Sequence, residues 1–266
     1  IYANIEYREG IYLGYKYYET ACDDMNAAEE GTGDEWYDSQ VLYPFGYGLS
    51  YTDFAWEIAE PAAETVITNP HQIVSMSVKV TNVGNTAGKD VVQIYANPPY
   101  TVGGIEKASA NLVGFAKTDL LQPGESQVLT IDFVAQDMAS FDWNDANENG
   151  FSGYELEAGA YSITARRNSH EVVLEEVYTI DAGLNCTTDY TSGEEITPLF
   201  VGDYTSVNDS LLNNMISRAT GLVQPEPASV EDRTIDADYL ALMDNQYTYH
   251  SYMDQGYEDW YVFDGG

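Results

Sequence analysis

The sequence predicts a mainly β chain organised as an antiparallel β-sandwich, with an extended segment before it and a partly helical arm after it. Three observations carry that expectation: a period-two alternation opens at Ile73, short β-branched and aromatic runs recur after it, and Gly, Pro and Asn punctuate the gaps. In the first run Ile73, Ser75, Ser77, Lys79 and Thr81 alternate with Val74, Met76, Val78 and Val80, which marks a strand buried on one face. Asn82-Val83-Gly84-Asn85 supplies a turn and Val91-Val92-Gln93-Ile94-Tyr95-Ala96 the next strand, so a hairpin between the two is expected. Further strands are expected over 111–116, 126–133 and 160–166, separated by Leu121-Gln122-Pro123-Gly124-Glu125 and by Glu157-Ala158-Gly159. About seven short strands at this spacing, with no helical period among them, define a sandwich of the immunoglobulin or fibronectin type III kind.

The flanks read differently. Residues 1–18 are dense in Tyr, Ile and Leu with turn glycines at Gly10 and Gly14, which predicts extended backbone packed against a larger body. Residues 22–39 are polar and carry Gly31 and Gly33, so they read as an exposed loop. The run Tyr43-Pro44-Phe45-Gly46-Tyr47-Gly48-Leu49-Ser50-Tyr51 reads as a rigid, partly buried connector, because Pro44 restricts φ and aromatics alternate with glycines. Beyond Ala182, Ser206 is an N-cap candidate, and Val207, Leu211, Leu212, Met215, Ile216 and Ala219 lie at helical spacing. Gln224-Pro225-Glu226-Pro227 then predicts an extended arm, 237–243 a second short helix, and 247–263 an aromatic, acidic tail. The expected units are therefore 1–54, 55–182 and 183–266.

Composition excludes several classes of function. Ten basic residues against 44 acidic ones give a formal net charge of -34, which repels phosphate backbones and anionic lipid. Nucleic acid and membrane surfaces are accordingly not expected partners, and no apolar run approaches the roughly 20 residues of a membrane helix. The two cysteines, Cys22 and Cys186, are too few for a disulfide framework; they either pair across the chain or stay as free buried thiols. The chain opens at Ile1 inside a motif, which reads as a piece of a longer protein.

Sites of chemistry are sparse. Asp145, Asn147 and Asn149, followed by Gly150, place oxygen ligands at alternate positions before a sharp-turn glycine, as in the first half of a calcium loop. Leu156 stands where such a loop needs its bidentate glutamate, so an Asn-Gly turn without a metal is the competing reading of the same residues. Calcium at these three residues is the one cofactor expectation. His71, His170 and His250 lack metal-ligand spacing, and neither a G-x-S-x-G elbow nor a Cys/His pair can be assembled locally.

Several motifs occur in an order that resembles glycoside hydrolase family 3, of which β-glucosidases are the best known. They are Glu9-Gly10-Ile11-Tyr12-Leu13-Gly14-Tyr15-Lys16-Tyr17-Tyr18 and Pro44-Phe45-Gly46-Tyr47-Gly48-Leu49-Ser50-Tyr51-Thr52-Asp53-Phe54 near the start, then Val80-Thr81-Asn82-Val83-Gly84 leading to Asp90-Val91-Val92-Gln93-Ile94-Tyr95. Leu112-Val113-Gly114-Phe115-Ala116-Lys117, Pro123-Gly124-Glu125-Ser126 and Gly159-Ala160-Tyr161 complete the set, which spans residues 5 to 182. The resemblance implies that 1–54 are the end of the family's α/β sandwich domain, 55–182 its fibronectin type III-like domain, and 183–266 an extension toward a barrel. That last placement is similar to a circularly permuted subgroup from gut and rumen bacteria, on Met215-Ile216-Ser217-Arg218-Ala219, Asp232-Arg233 and the insert 144–150.

What the resemblance implies is a non-barrel, structural part of a retaining β-glycosidase. Such hydrolysis needs two carboxyl groups about 5 Å apart; in the family the nucleophile is an aspartate of the barrel and the acid/base glutamate lies upstream of Glu9. No catalytic or cofactor-binding residue is therefore assigned, Glu9 included, and the chain alone is expected to be inactive. Its implied partners are the (β/α)8 barrel, the remainder of the α/β sandwich domain and the β-linked saccharide of the parent enzyme, in a bacterial, extracellular or cell-envelope setting. Two alternatives stand beside it: a carbohydrate-binding module using Trp36, Trp56, Trp143 and Trp260 as stacking platforms, and a structural, adhesin-like extracellular sandwich.

Overall fold

A computed structural model describes residues 7–198 and 215–223. Residues 206–214 of the helix expected from Ser206 to Ala219, the arm at 224–227, the second helix over 237–243, the tail, His250 and Trp260 lie outside the described residues. Two antiparallel sheets form the sandwich. One contains β1 (Phe54–Glu60), β2 (Ile73–Asn82) and β5 (Ser126–Val134) in the order β1-β2-β5; the other contains β3 (Val91–Asn97), β4 (Asn111–Lys117), β8 (Gly159–Arg166) and β9 (Val172–Ile180) in the order β4-β3-β8-β9. A small third sheet of β6 (Ser140–Asp142), β7 (Gly153–Leu156) and β10 (Leu184–Asn185) closes one end.

The alternation in β2 is realised: Val74, Met76, Val78 and Val80 are buried while Ile73 and Ser75 are exposed. Register with β5 places Met76 opposite Ile131 and Val78 opposite Leu129, so both strands send the same face inward. Val92, Ile94, Tyr161, Ile163 and Ala165 answer from the second sheet and complete one core. Gly114 sits where the sheets come closest, since a Cβ there would lie 2.8 Å from Ile131 Cγ2.

The expected hairpin between 73–81 and 91–96 does not form, because β2 and β3 belong to different sheets. Buried Asn82 explains the crossover. Its Oδ1 accepts from Thr52 Oγ1 at 2.8 Å and Gly84 N at 3.1 Å, and its Nδ2 donates to Thr86 O at 2.8 Å and Leu121 O at 2.9 Å. One side chain thus satisfies the backbone that leaves the sheet.

The N-terminal flank corrects the expectation of extended backbone and exposed loop. Residues 15–28 and 32–40 form α1 (Tyr15–Ala28) and α2 (Thr32–Gln40), preceded by Gly14 at φ +56° and Gly31 at φ +84°. The helical face escaped the apolar pattern because its buried members include Glu19, Thr20 and Cys22, polar groups satisfied by partners distant in sequence. These helices cover the outer face of the second sheet, where Tyr15 packs edge-on against Tyr95 at 5.9 Å and stacks on Phe45 at 4.8 Å. That cover makes Val92 to Ala96 a continuous buried run instead of an alternating one.

At the other end, residues 215–217 are not helical, and Arg218–Thr220 is a single 3-10 turn with Ser217 as its N-cap. The expected amphipathic helix therefore does not extend through Ala219. Ile216 and Leu222 instead pack with Tyr12, Ala21 and Ala108 in a second small core. Among the described residues no helix is long and apolar enough to cross a membrane.

Candidate functional site

Two polar clamps tie the helical flank to the sandwich. The first centres on Glu19, 3% exposed, whose Oε1 accepts from Tyr37 Oη at 2.6 Å and Ser169 Oγ at 2.6 Å. Its Oε2 accepts from His170 Nδ1 at 2.9 Å, and His170 stacks on Tyr37 with ring centres 3.9 Å apart and 10° between planes. The Glu19 hydrogen bond raises the His170 pKa above its ordinary value against the opposing effect of burial. Beside it, buried Arg166 lies over the Tyr95 ring and donates from Nε to Thr164 Oγ1 at 2.8 Å. α1, α2 and the β8–β9 turn are thus locked together through groups that would be costly to bury unpaired.

The second clamp gathers the returning C-terminal segment. Tyr12 Oη and Ser217 Oγ both donate to the Glu106 carboxylate, and Arg218 N donates to Glu106 Oε2 at 3.1 Å. Arg218 also engages Asp24 through its guanidinium, donates from Nη1 to Lys107 O at 3.0 Å, and lies over the Tyr100 ring at 3.9 Å. Burial first, and then the Glu106 carboxylate, push the Tyr12 hydroxyl far above its ordinary pKa, so it stays a donor at neutral pH. This network floors a cleft of about 600 Å³, whose walls include Lys107, Phe141, Trp143, Tyr154 and Met215.

Between helices and sandwich runs an apolar ridge. The connector expected to be partly buried is in fact exposed along most of its length: Leu42 is 82% exposed, Leu49 89% and Tyr51 99%, with Tyr43, Phe45 and Tyr47 also open. Gly46, at φ +79°, sits where a Cβ would lie 2.3 Å from Gln93 Oε1, and Gln93 Nε2 donates to Gly46 O at 3.2 Å. The backbone of the ridge is therefore pinned to β3 while its side chains face outward. Phe115, 68% exposed on β4, extends the same surface. A contiguous apolar surface of this kind marks an interaction site.

The residues expected to hold calcium form a compact turn. Asp145, at φ +57°, accepts from Gly150 N at 3.0 Å, while Asn147 Oδ1 and Asn149 Oδ1 accept from Asn149 N and Phe151 N. Both asparagine amides donate to Glu155 Oε2, at 3.0 and 2.6 Å. In this arrangement the Asn oxygens are occupied by backbone and the loop closes on a carboxylate. Burial pushes the Glu155 carboxyl up, and its Oε1 has no hydrogen-bond partner among the described residues.

The other singled-out residues are largely occupied in holding the fold. Trp56 donates from Nε1 to Asp90 Oδ2 at 2.7 Å and carries Arg167 over its ring, Trp36 stacks on Tyr18, and Trp143 is half-buried. His71 Nε2 lies 2.9 Å from Thr188 O. Cys22 and Cys186 are both buried and free. Sequence reasoning missed Glu19 and its partnership with His170; a glutamate in a Tyr-rich run and a histidine 151 positions away carry no shared local signal. Among the described residues the buried carboxylates Glu19, Asp142 and Glu155 each accept hydrogen bonds that shape this framework.

The architecture is that of a fibronectin type III-like sandwich carrying a clamped helical flank. The family profile Fn3-like, a fibronectin type III-like domain, matches residues 90–169. The chain is similar to Beta-glucosidase A of Butyrivibrio fibrisolvens, 42% identical over 166 residues covering 59% of this chain and 18% of that protein. It is also similar to a Beta-glucosidase of Ruminococcus albus, 39% identical over 159 residues covering 60% of this chain and 14% of that protein. Among solved structures, the β-glucosidase from Paenibacillus barengoltzii superposes with a TM-score of 0.55 at 36% identity, over 67% of this chain and 18% of that one. The β-glucosidase of Kluyveromyces marxianus in complex with glucose gives 0.51 at 28% identity, over 67% and 18%. The chain thus spans less than a fifth of the length of these relatives, and its likeness to β-glucosidases covers about 60% of its residues, the fibronectin type III-like region included.

Proposed function

We propose that this chain is the non-catalytic buttress of a retaining β-glycosidase of the β-glucosidase kind. Residues 1–54 are the closing segment of its α/β sandwich domain, 55–182 its fibronectin type III-like domain, and 183–266 an extension leading toward a (β/α)8 barrel. The observation that carries the reading is the ridge from Leu42 to Tyr51, whose backbone is fastened to β3 while its apolar side chains point to solvent. Leaving such side chains in water forgoes about 25 cal/mol per Å² of apolar area, a cost recovered when a second domain covers them. The catalytic carboxylates belong to that second domain, and the substrate is its β-linked saccharide. The clamps at Glu19 and Glu106 hold the ridge and the cleft rigid, so docking does not have to order them.

The test is hydrolysis of a chromogenic β-glucoside by this chain alone, and again after adding the separately produced remainder of the enzyme. Silence from the chain and activity in the mixture above that of the remainder alone support the proposal. Turnover by the chain alone overturns it.

A further inference from the structure

His170 of the first clamp meets two groups that the clamp does not use, Cys22 and Asp34, where α1, α2 and the β8–β9 turn come together. One ligand atom each from Cys22, Asp34 and His170 lies within 4.8 Å of the other two. We propose that these residues form a zinc site with an open fourth position, joining the helical flank to the sandwich.

The geometry fits the ion. Zinc–sulfur bonds of about 2.3 Å and zinc–oxygen bonds of about 2.1 Å at a tetrahedral angle place sulfur and oxygen about 3.6 Å apart. Cys22 Sγ stands 3.5 Å from Asp34 Oδ1. With Nδ1 donating to buried Glu19 at 2.9 Å, Nε2 is the ring nitrogen that keeps a lone pair for the ion. A carboxylate holding the far nitrogen of a metal-ligating imidazole is the usual outer-shell arrangement, and Tyr37 stacked on the ring fixes its plane. The helices meet closely enough because residue 33 is glycine; a Cβ there would lie 2.1 Å from Cys22 O. Asn26 Nδ2 donates to Asp34 Oδ1 at 2.8 Å, which turns the Asp34 carboxylate toward the cysteine.

The donor set selects the class of metal. Thiolate, imidazole and carboxylate together suit zinc, whereas calcium and magnesium take oxygen. On binding, the Cys22 thiol gives one proton to solvent as the sulfur–metal bond forms, any imidazolium form of His170 gives up its Nε2 proton as the nitrogen–metal bond forms, and no electron is transferred. Thiolate, carboxylate and Zn²⁺ sum to zero charge, which suits a half-buried site. Asp34 is exposed, so water reaches the fourth position.

Cobalt titration of the 266-residue chain, stripped of metal, tests the site. One Co²⁺ per chain should produce a thiolate-to-cobalt charge-transfer band that Zn²⁺ abolishes and Ca²⁺ does not. Cys22→Ser should remove the band and Cys186→Ser keep it. Asp34→Asn changes an exposed group and leaves the fold intact by circular dichroism; it should weaken zinc at least about 10-fold, and Glu19→Gln, acting through His170, should weaken it about 10- to 100-fold with the band retained. A folded chain that gives no thiolate band, a band that survives in Cys22→Ser, or an Asp34→Asn chain with unchanged zinc affinity overturns the proposal. Should Cys22→Ser not fold, release of at least one proton per zinc by the wild-type chain, with the Asp34→Asn affinity, decides the question in the same two directions.

Discussion

Replacing Glu19 with alanine is the sharpest test of how the helical flank is held. The substitution strands three donors: the hydroxyl of Tyr37, which is 2% exposed, the hydroxyl of Ser169, at 0%, and Nδ1 of His170, whose side chain is 33% exposed. A buried donor left without its acceptor costs about 1–3 kcal/mol. Two such donors are fully buried and the third can turn to water, which gives about 2–6 kcal/mol and brackets the range of about 3–5 kcal/mol for removing one partner of a buried charged pair. For a domain of this size that corresponds to a melting temperature lower by roughly 6–20 °C. Urea unfolding of metal-free protein, followed by far-ultraviolet circular dichroism, reads the difference. Glu57→Ala is the control, because its partner Lys79 is 41% exposed and such surface pairs contribute about 0–1 kcal/mol. A Glu19→Ala loss below about 1 kcal/mol, or one no larger than that of Glu57→Ala, would refute the clamp, since even a Tyr37–Ser169 hydrogen bond would leave one buried hydroxyl without an acceptor.

Three further outcomes are expected. Gly33→Ala should cost about 1–3 kcal/mol, because the new Cβ meets backbone at Cys22 O and α2 must shift; tryptophan fluorescence should report the disturbed stacking of Trp36 on Tyr18. Asn82→Ala leaves Thr52 Oγ1 and Thr86 O without the partner they have here, removes one of the two donors to Leu121 O, and should cost at least about 2 kcal/mol in the same urea assay. His170 has a pKa raised by Glu19, so its contribution is fully present below the unfolded histidine pKa of about 6.5 and is lost as pH rises through the folded value. The stability difference between wild type and His170→Gln should therefore shrink as pH rises from 6 toward 8, measured by thermal denaturation at each pH; a difference that grows over that range contradicts the assignment.

The sandwich was largely legible because its signals are local. Strands expected over 111–116, 126–133 and 160–166 appear as Asn111–Lys117, Ser126–Val134 and Gly159–Arg166, each bounded by the Gly and Pro turns that announced it. Phe54–Glu60 and Val172–Ile180 were not read as strands: β1 and β9 lie at sheet edges and carry many exposed, charged residues. The helical flank escaped for a different reason. Its inner face uses Glu19 and Thr20, which are satisfied by Tyr37, Ser169 and Ser109, and a periodicity search sees only polarity there. The hairpin expected after Asn82 failed because that residue's side chain serves backbone groups from Thr86 to Leu121, a tertiary role that a turn motif does not encode. Cys22, Asp34 and His170 were each visible in the sequence, but 136 positions separate the second from the third. The stretch from Tyr43 to Tyr51 was recognised as a connector, and it is its exposure in the folded chain, shared by Leu42, that supports the docking proposal.

Docking is also where the account is most directly tested. The affinity of the 266-residue chain for the separately produced remainder of the enzyme, measured by isothermal titration calorimetry beside the Leu49→Asp and Glu57→Ala variants, isolates the ridge. Leu49 is 89% exposed, so Leu49→Asp should leave folding intact yet weaken association at least about 10-fold by placing a charge in the covered apolar surface, while Glu57→Ala should bind as wild type does. Equal affinity for all three chains, or no association by the folded wild-type chain, would contradict the claim that this region is a buttress for a catalytic domain.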